Sequence, residues 1–387
     1  MSRAIIISVV LATAGVAHAY PQFQLSRGET CSECHLSPAG GGINSENGLN
    51  VIQAMSANGD DPTPFYGKAT TPDWLRIGGD VRAAAGYYAI AEDNANTTVV
   101  NNTPQPTTAP NNTGAVAFPM QAEIYANALL PAAFSLHVTA GFIDPEDNNN
   151  ITTLASREHW LQWQQDADSP NGLFIRAGRF MPVFGLRFAE HVDYDRRYGG
   201  TPLYGEAYGI AFEEIQPTWE VHATGFVHDP WQATTELGDG AALYAEGRIA
   251  GNTAIGVEGK YDRTTDDYKL YGGITAKHWC SCINLLVQGE VQAIHQQVTG
   301  PGFNDQIVGY LMATEFLPDG FMIDLGLGEY EPDVRVRNLT QQVADLNIHW
   351  FATSHVELIL TNRLQTAAFG EGAASSGYSL LQLHYRI

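Results

Sequence analysis

The motif Cys-Ser-Glu-Cys-His combines residue types and a spacing that can carry chemistry. Its two thiols, Cys31 and Cys34, can form thioether bonds with the two vinyl groups of one haem, and the adjacent His35 then becomes the proximal ligand of the iron. We therefore expect one covalently bound haem c. Two alternatives stay open. One is a disulfide between the two thiols, and the other is half of a zinc site completed by Cys280 and Cys282, although Cys-x-Cys is not the usual zinc spacing.

A second axial ligand of the iron is expected from a thioether or an imidazole. Met55 is the first candidate, because it follows His35 on the same short segment and can fold back over the iron. A methionine at helical spacing also occurs as ordinary packing. An iron without a distal protein ligand is the third possibility. Other candidates come from the rest of the chain, namely Met120, Met181, His137, His159 and His222.

The start of the chain predicts export. Arg3 supplies a positive charge, residues 4–14 are apolar, and a small-x-small sequence ends at Ala19. This is the pattern of a cleaved signal peptide over residues 1–19, and a short buried helix explains it less well. The cysteine motif is then exported to a compartment outside the cytoplasm, where haem is attached covalently.

The haem-binding segment, residues 20–73, is short. Only 38 residues separate His35 from Trp74, where the next strong pattern begins. So few residues bury a core poorly, and the rest of the protein must supply part of the haem's surroundings. A helix is expected over residues 46–58.

From Trp74 onward the pattern has period two, which predicts strands with one apolar and one polar face. Sixteen such segments are separated by joints that alternate between long or polar and tight. This is typical of an all-β fold, a transmembrane antiparallel β-barrel of about sixteen strands over residues 74–387, whose lumen is wide enough for a channel or a plug. A periplasmic β-sandwich or propeller is the alternative. The long or polar joints are 91–114, 143–153, 181–205, 229–240, 262–267, 298–305, 331–340 and 367–377.

Composition agrees with a membrane barrel. The 387 residues carry a formal net charge of −22, and 44% of them are hydrophobic. This is too apolar for a disordered chain, and the excess of carboxylates argues against nucleic acid as a partner. No apolar run long enough for a spanning helix follows the N-terminal segment.

The third long joint differs from the others because it is aromatic, charged and punctuated by glycine and proline. Such a composition favours folding inward rather than extending into water. One hypothesis is a constriction beside the electron path, and the alternative is a packed loop whose ions pair with one another. The charged candidates are Arg187, Glu190, His191, Asp193, Asp195, Arg196 and Arg197.

An exported chain with one haem motif directly before a predicted barrel resembles the fused monohaem cytochrome–porin family of iron-oxidising bacteria. The close match covers about 40 residues. Over the barrel, the similarity is one of architecture only. The resemblance implies a haem plug in the periplasmic part of the lumen of an outer-membrane barrel. It also implies electron transfer from outside the cell to periplasmic carriers such as soluble c-type cytochromes. The matching positions are Pro21, Phe23, Cys31, Cys34, His35, Pro38 and the stretch from Gly48 to Gly59.

Three hypotheses about the function therefore stay open. The first carries electrons between an extracellular donor, with Fe(II) as a candidate metal ion, and periplasmic carriers, which would amount to Fe(II):cytochrome c oxidoreductase activity. The second is a porin or solute channel whose haem is a plug or redox sensor. The third is an outward electron conduit. All three place the protein in the lipid of the bacterial outer membrane.

Overall fold

The computed structural model describes residues 22–93, 97–100, 103–106, 112–143, 153–190, 192–203, 205–229, 238–265, 267–298, 302–369 and 372–387. The expected signal peptide and His191 lie outside these residues. No helix in the described part of the chain is long and apolar enough to span a membrane.

Sixteen antiparallel strands form a closed barrel, because the last strand pairs with the first and the first also pairs with the second. This confirms the predicted fold class and sets aside the sandwich and the propeller. The fourth strand is interrupted, and both of its segments pair with the third. The strands are β1 Leu75–Asp93, β2 Asn112–Leu130, β3 Phe134–Ile143, β4 Thr153–Ala155 with His159–Gln164, β5 Gly172–Phe180, β6 Ala207–Gln216, β7 Trp219–Val227, β8 Asp239–Ile249, β9 Thr253–Arg263, β10 Asp267–Cys280, β11 Leu285–Val298, β12 Phe303–Phe316, β13 Phe321–Glu331, β14 Gln341–Phe351, β15 Val356–Phe369 and β16 Gly372–Arg386.

The period-two pattern separates a lipid-facing surface from the lumen. In β11, Gln288, Glu290 and Gln292 are buried in the lumen, whereas Val291 between them is exposed on the outer surface. Apolar side chains such as Leu364 cover the outside of the barrel. Lipid stabilises such an outer band, while the polar side chains on the inner face find partners within the lumen.

Short turns close one end of the barrel, which we call the turn end, and the five longest joints lie at the opposite end, the loop end. These five joints were predicted to be long or polar. The other three joints at the loop end are short, because β9 ends at Arg263 and β10 begins at Asp267, and because β11 ends at Val298 and β12 begins at Phe303. The predicted long joint 367–377 is wrong, because β15 runs to Phe369 and β16 begins at Gly372. Small residues there continue the ladder between the two strands instead of leaving it. A short hairpin pairs Thr97–Val100 with Thr103–Pro106 inside the first joint.

The segment before the barrel folds into three helices, α1 Gln22–Arg27, α2 Cys31–Cys34 and α3 Glu46–Met55. The expected helix 46–58 therefore ends three residues early. Ser45 caps its start by accepting a hydrogen bond from the Gly48 amide. The backbone leaves the helix at Ser56, in an extended conformation.

This segment lies inside the barrel, and we call residues 22–73 the plug. The Gln22 amide contacts the Met312 sulfur at 3.5 Å, and Lys277 donates to Gln24 at 2.8 Å. The guanidinium of Arg176 donates to the Ser37 hydroxyl at 3.1 Å. Because inward-facing side chains of β5, β10 and β12 make these contacts, the plug occupies the lumen.

Candidate haem-binding cavity

The plug and the barrel wall enclose a cavity of about 520 Å³ near the turn end. This volume lies in the range of small-molecule and cofactor sites, roughly 300–1,000 Å³. The predicted motif residues Cys31, Cys34 and His35 line it together with Met55. The fold thus brings the four predicted haem-site residues to one space.

Local hydrogen bonds fix the backbone of the motif. Thr30 and Glu33 form a reciprocal capping box at the start of α2. The His35 amide donates to the Cys31 carbonyl at 2.9 Å, which ends the single helical turn. Both cysteines of the motif therefore lie on one short turn, with His35 directly after it.

Helix α3 lies directly against the motif. The Ser45 amide donates to the Cys34 carbonyl at 2.8 Å. A Cβ atom at position 48 would stand 2.1 Å from the same carbonyl oxygen, so that only Gly48 permits this approach. The glycine is needed for the close packing of α3 on the motif.

Both thiols of the motif are free and partly buried. Burial raises the pKa of Cys31, and burial together with Glu29, whose carboxylate lies 3.1 Å from the Cys34 sulfur, raises the pKa of Cys34. The alternative disulfide between them is not formed. The alternative zinc site is not formed either, because Cys280 and Cys282 form a disulfide with each other. In the described ranges no group of three or more His, Cys, Asp and Glu side chains is arranged to hold a metal ion.

The His35 ring is poised to act as a ligand. Its buried Nδ1 atom has no hydrogen-bond partner among the described residues. Burial lowers the pKa of the imidazole to about 4, although the backbone of Gly41 acts in the opposite direction. The ring is therefore neutral near pH 7, which is the form that binds metals.

The structure separates the candidates for the distal ligand. Met55 lines the cavity, whereas the other candidates lie outside it. His222 sits between two carboxylates, His137 stacks on Trp160, and His159 contacts a tyrosine hydroxyl at 3.0 Å. Met120 is buried on β2, and Met181 lines a separate small cavity beside the third loop.

The polar wall of the cavity, which β1, β2 and β16 supply, was not predicted from the sequence. The imidazole of His384 contacts Asp80 at 2.5 Å, and the Tyr125 hydroxyl donates to the other oxygen of Asp80 at 2.6 Å. The second ring nitrogen of His384 lies 3.0 Å from Glu357. The alternation of the strands showed that these residues face inward, but their meeting depends on closure of the barrel.

The third loop, residues 181–206, folds into the lumen as expected. Arg187 reaches the cavity, where it donates to the Ala39 carbonyl at 3.0 Å and pairs with Glu220 at 2.5 Å. Asp193 pairs with Arg363 of β15 at 3.0 Å. Arg187 and Asp193 thus pair with the barrel wall, and Arg187 also contacts the plug, so these two do not pair with other ions of the loop.

The remaining predicted loop residues have different surroundings. The Arg196 guanidinium, in the short helix α4 Tyr194–Arg197, donates to the Phe188 carbonyl at 2.9 Å. The Arg197 guanidinium lies 5.2 Å from the ring centre of Tyr198. Asp195 and one oxygen of Glu190 are buried without hydrogen-bond partners among the described residues.

The plug and the third loop seal much of the lumen. Inward-facing polar side chains on several strands have an exposed fraction of 0%, namely His222, Tyr244, Gln288, Thr314 and Glu357. In an open aqueous channel such side chains would contact water. The described arrangement is therefore closed across this part of the barrel.

Comparison with known proteins supports the fold. No protein-family model and no curated protein matches the sequence. Among solved structures, the outer-membrane channel DcaP of Acinetobacter baumannii is similar, with 13% identity, a TM-score of 0.57 and coverage of 81% of this chain and 97% of that chain. An anion-selective porin from Comamonas acidovorans has 9% identity and a TM-score of 0.57, covering 80% and 99%. OmpT of Vibrio cholerae has 14% identity and a TM-score of 0.54, covering 83% and 100%. The closed barrel and its apolar outer band are those of a porin-like β-barrel of the bacterial outer membrane.

Proposed function

We propose that this protein is an outer-membrane electron carrier whose lumen holds one covalent haem c. The observation that carries the proposal is the common cavity of Cys31, Cys34 and His35, walled on one side by the plug and on the other by the barrel. The expectation that the short segment borrows its walls from the barrel agrees with this arrangement.

The residues around the cavity fit a haem. The two free thiols would form the thioether bonds, and the neutral imidazole of His35 would bind the iron. Apolar side chains face the same space and would cover the macrocycle, namely Ile43, Leu49, Ile52 and Ile77. A bound haem supplies a one-electron Fe(III)/Fe(II) couple.

The chain's own residues would set the surroundings of that couple. Met55 is proposed as the distal ligand because it lines the cavity. Walls contributed by the plug, β1 and β16 would reduce the contact of the haem with water, and burial together with the axial ligand adjusts the reduction potential. A net charge of −22 favours a cationic extracellular donor, and Fe(II) is our candidate. Soluble c-type cytochromes are the proposed periplasmic acceptors.

Loss of both attachment thiols tests the proposal. The Cys31→Ala/Cys34→Ala double variant should lose all haem staining that survives denaturation, because thioether bonds alone keep haem on an unfolded chain. A Cys280→Ser/Cys282→Ser variant is the matched control and should stain fully. Full staining of the first variant, or wild-type protein without haem, would overturn the proposal.

A solute channel is the second candidate, and the comparison with solved structures favours it. DcaP and the Comamonas protein are described as a channel and as an anion-selective porin. Against it stands the shielding of the inward-facing side chains. Conductance in planar bilayers separates the two functions. The sealed lumen predicts little conductance for the full chain, whereas steady porin-like currents would put the channel first.

The direction of electron flow needs a separate measurement. In liposomes with the loop end outward, stopped-flow mixing with external Fe(II) should reduce the haem if the protein works inward. Rapid oxidation of the reduced haem by an external acceptor, without reduction by Fe(II), would favour the outward conduit.

A further inference from the structure

Arg82 is a buried arginine with no carboxylate within ion-pairing distance among the described residues. It lies on β1, faces the cavity, and has an exposed fraction of 2%. Its buried Nε atom has no hydrogen-bond partner in the described ranges. Within the described part of the chain its guanidinium forms no ion pair, and an unpaired charge is costly to bury.

Two carboxylates near Arg82 are engaged with other groups. Asp80 stands two residues away on the same face of β1, but its oxygens contact the His384 ring and accept from the Tyr125 hydroxyl. The oxygens of Glu357 lie 2.9 Å from a ring nitrogen of His349 and 3.0 Å from one of His384. Glu123 on β2 keeps one buried oxygen without a hydrogen-bond partner among the described residues, but its side chain does not line the cavity that Arg82 faces.

Two buried or partly buried arginines at the same cavity differ from Arg82. Arg386 pairs with Glu357, and Arg187 pairs with Glu220. Each of these two guanidinium groups has a carboxylate of the barrel wall. Arg82 is instead aimed at a space whose remaining lining is largely apolar.

We infer that Arg82 binds a carboxylate group of the molecule that fills the cavity. The bound molecule must then have an apolar part, which the isoleucine and leucine side chains of the cavity cover, and at least one anionic group. Under the proposed function, on which this inference rests, that anionic group is a propionate of the haem. Arginine suits this role because its planar guanidinium can donate two parallel hydrogen bonds to one carboxylate.

The reduction potential of full-length protein in detergent tests the assignment. Arg82→Gln removes a buried positive charge beside the haem and should favour the oxidised state. We expect the equilibrium constant for reduction to fall about tenfold, which is about 59 mV for a one-electron couple. Arg82→Lys should restore part of the loss. Arg335→Gln removes the same charge from an exposed position outside the cavity, where water screens it, and should give a much smaller shift.

Thermal unfolding gives a second readout that does not depend on the potential. Arg82→Met should raise the unfolding temperature of the haem-free Cys31→Ala/Cys34→Ala protein, because it removes an unpaired buried charge. The same change should lower the unfolding temperature of haem-loaded protein, because it removes a bound pair. If Arg82→Met shifts the unfolding temperature in the same direction in the haem-free and in the haem-loaded protein, the assignment is contradicted.

The outcomes separate the two proposals. Haem-loaded Arg82→Gln protein with an unchanged potential would overturn the role of Arg82 and leave the haem proposal standing. Wild-type protein without covalent haem would overturn both. A fall in potential that Arg82→Lys partly reverses, together with opposite thermal shifts, supports a carboxylate partner.

Discussion

At the scale of single residues, Met55 is separated from the other distal candidates by its position on the cavity. Met55→Ala should therefore remove the low-spin absorption spectrum of the haem, since the iron would lose its sixth ligand. Met181→Ala and His159→Ala are matched controls, because these side chains lie outside the cavity, and their spectra should match the wild type. A low-spin spectrum in Met55→Ala protein would assign the ligand elsewhere.

At the scale of elements, the contact between α3 and the haem motif depends on Gly48. Helix propensity alone predicts that Gly48→Ala stabilises α3 by about 1 kcal/mol. The Cβ atom would meet the Cys34 carbonyl, however, and overpacking of this kind costs about 1–3 kcal/mol. We expect a net loss of plug stability and less bound haem, measured by limited proteolysis and haem content. Asn50→Ala, at an exposed position on the same helix, should have neither effect.

Buried ion pairs anchor the third loop to the barrel wall. Arg363 of β15 pairs with Asp193 of the loop and with Asp345 of β14. Arg363→Leu would leave both carboxylates buried without this partner, at a cost of about 3–5 kcal/mol. The variant should unfold at a lower temperature in detergent and conduct more in bilayers. As a control, Arg335→Gln breaks an exposed pair with Asp333 and should cost only about 0–1 kcal/mol. Equal stability of the two variants would contradict the anchoring role.

At the scale of the whole molecule, the barrel must cross the outer membrane in one orientation. Long joints of bacterial barrels face outward, and short turns face the periplasm. On intact cells, an impermeant thiol reagent should therefore label Asp333→Cys in the loop between β13 and β14. Pro318→Cys, in the turn between β12 and β13, should react only after the membrane is permeabilised. Reversed labelling would invert the topology and place the cavity at the cell surface.

Features that depend on local spacing could be predicted from the amino-acid sequence. Period-two alternation predicted sixteen strands and the face that each residue presents, because successive side chains of a strand point to opposite sides. The spacing of Cys31, Cys34 and His35 likewise predicted one compact site, since all three lie within five consecutive positions. The inward fold of the third loop followed from its composition.

Contacts between residues far apart in the sequence depend on the folded barrel. His384 and Asp80 are 304 positions apart and come together because β16 closes the barrel against β1. Alternation fixes the face of a strand but neither its pairing partner nor its length, which is why the joint 367–377 was mispredicted. The sequence also did not indicate that Arg82 forms no ion pair with the described residues. The absence of such a pair depends on which side chains Asp80 and Glu357 contact, and those contacts form only when the sheet closes around the plug.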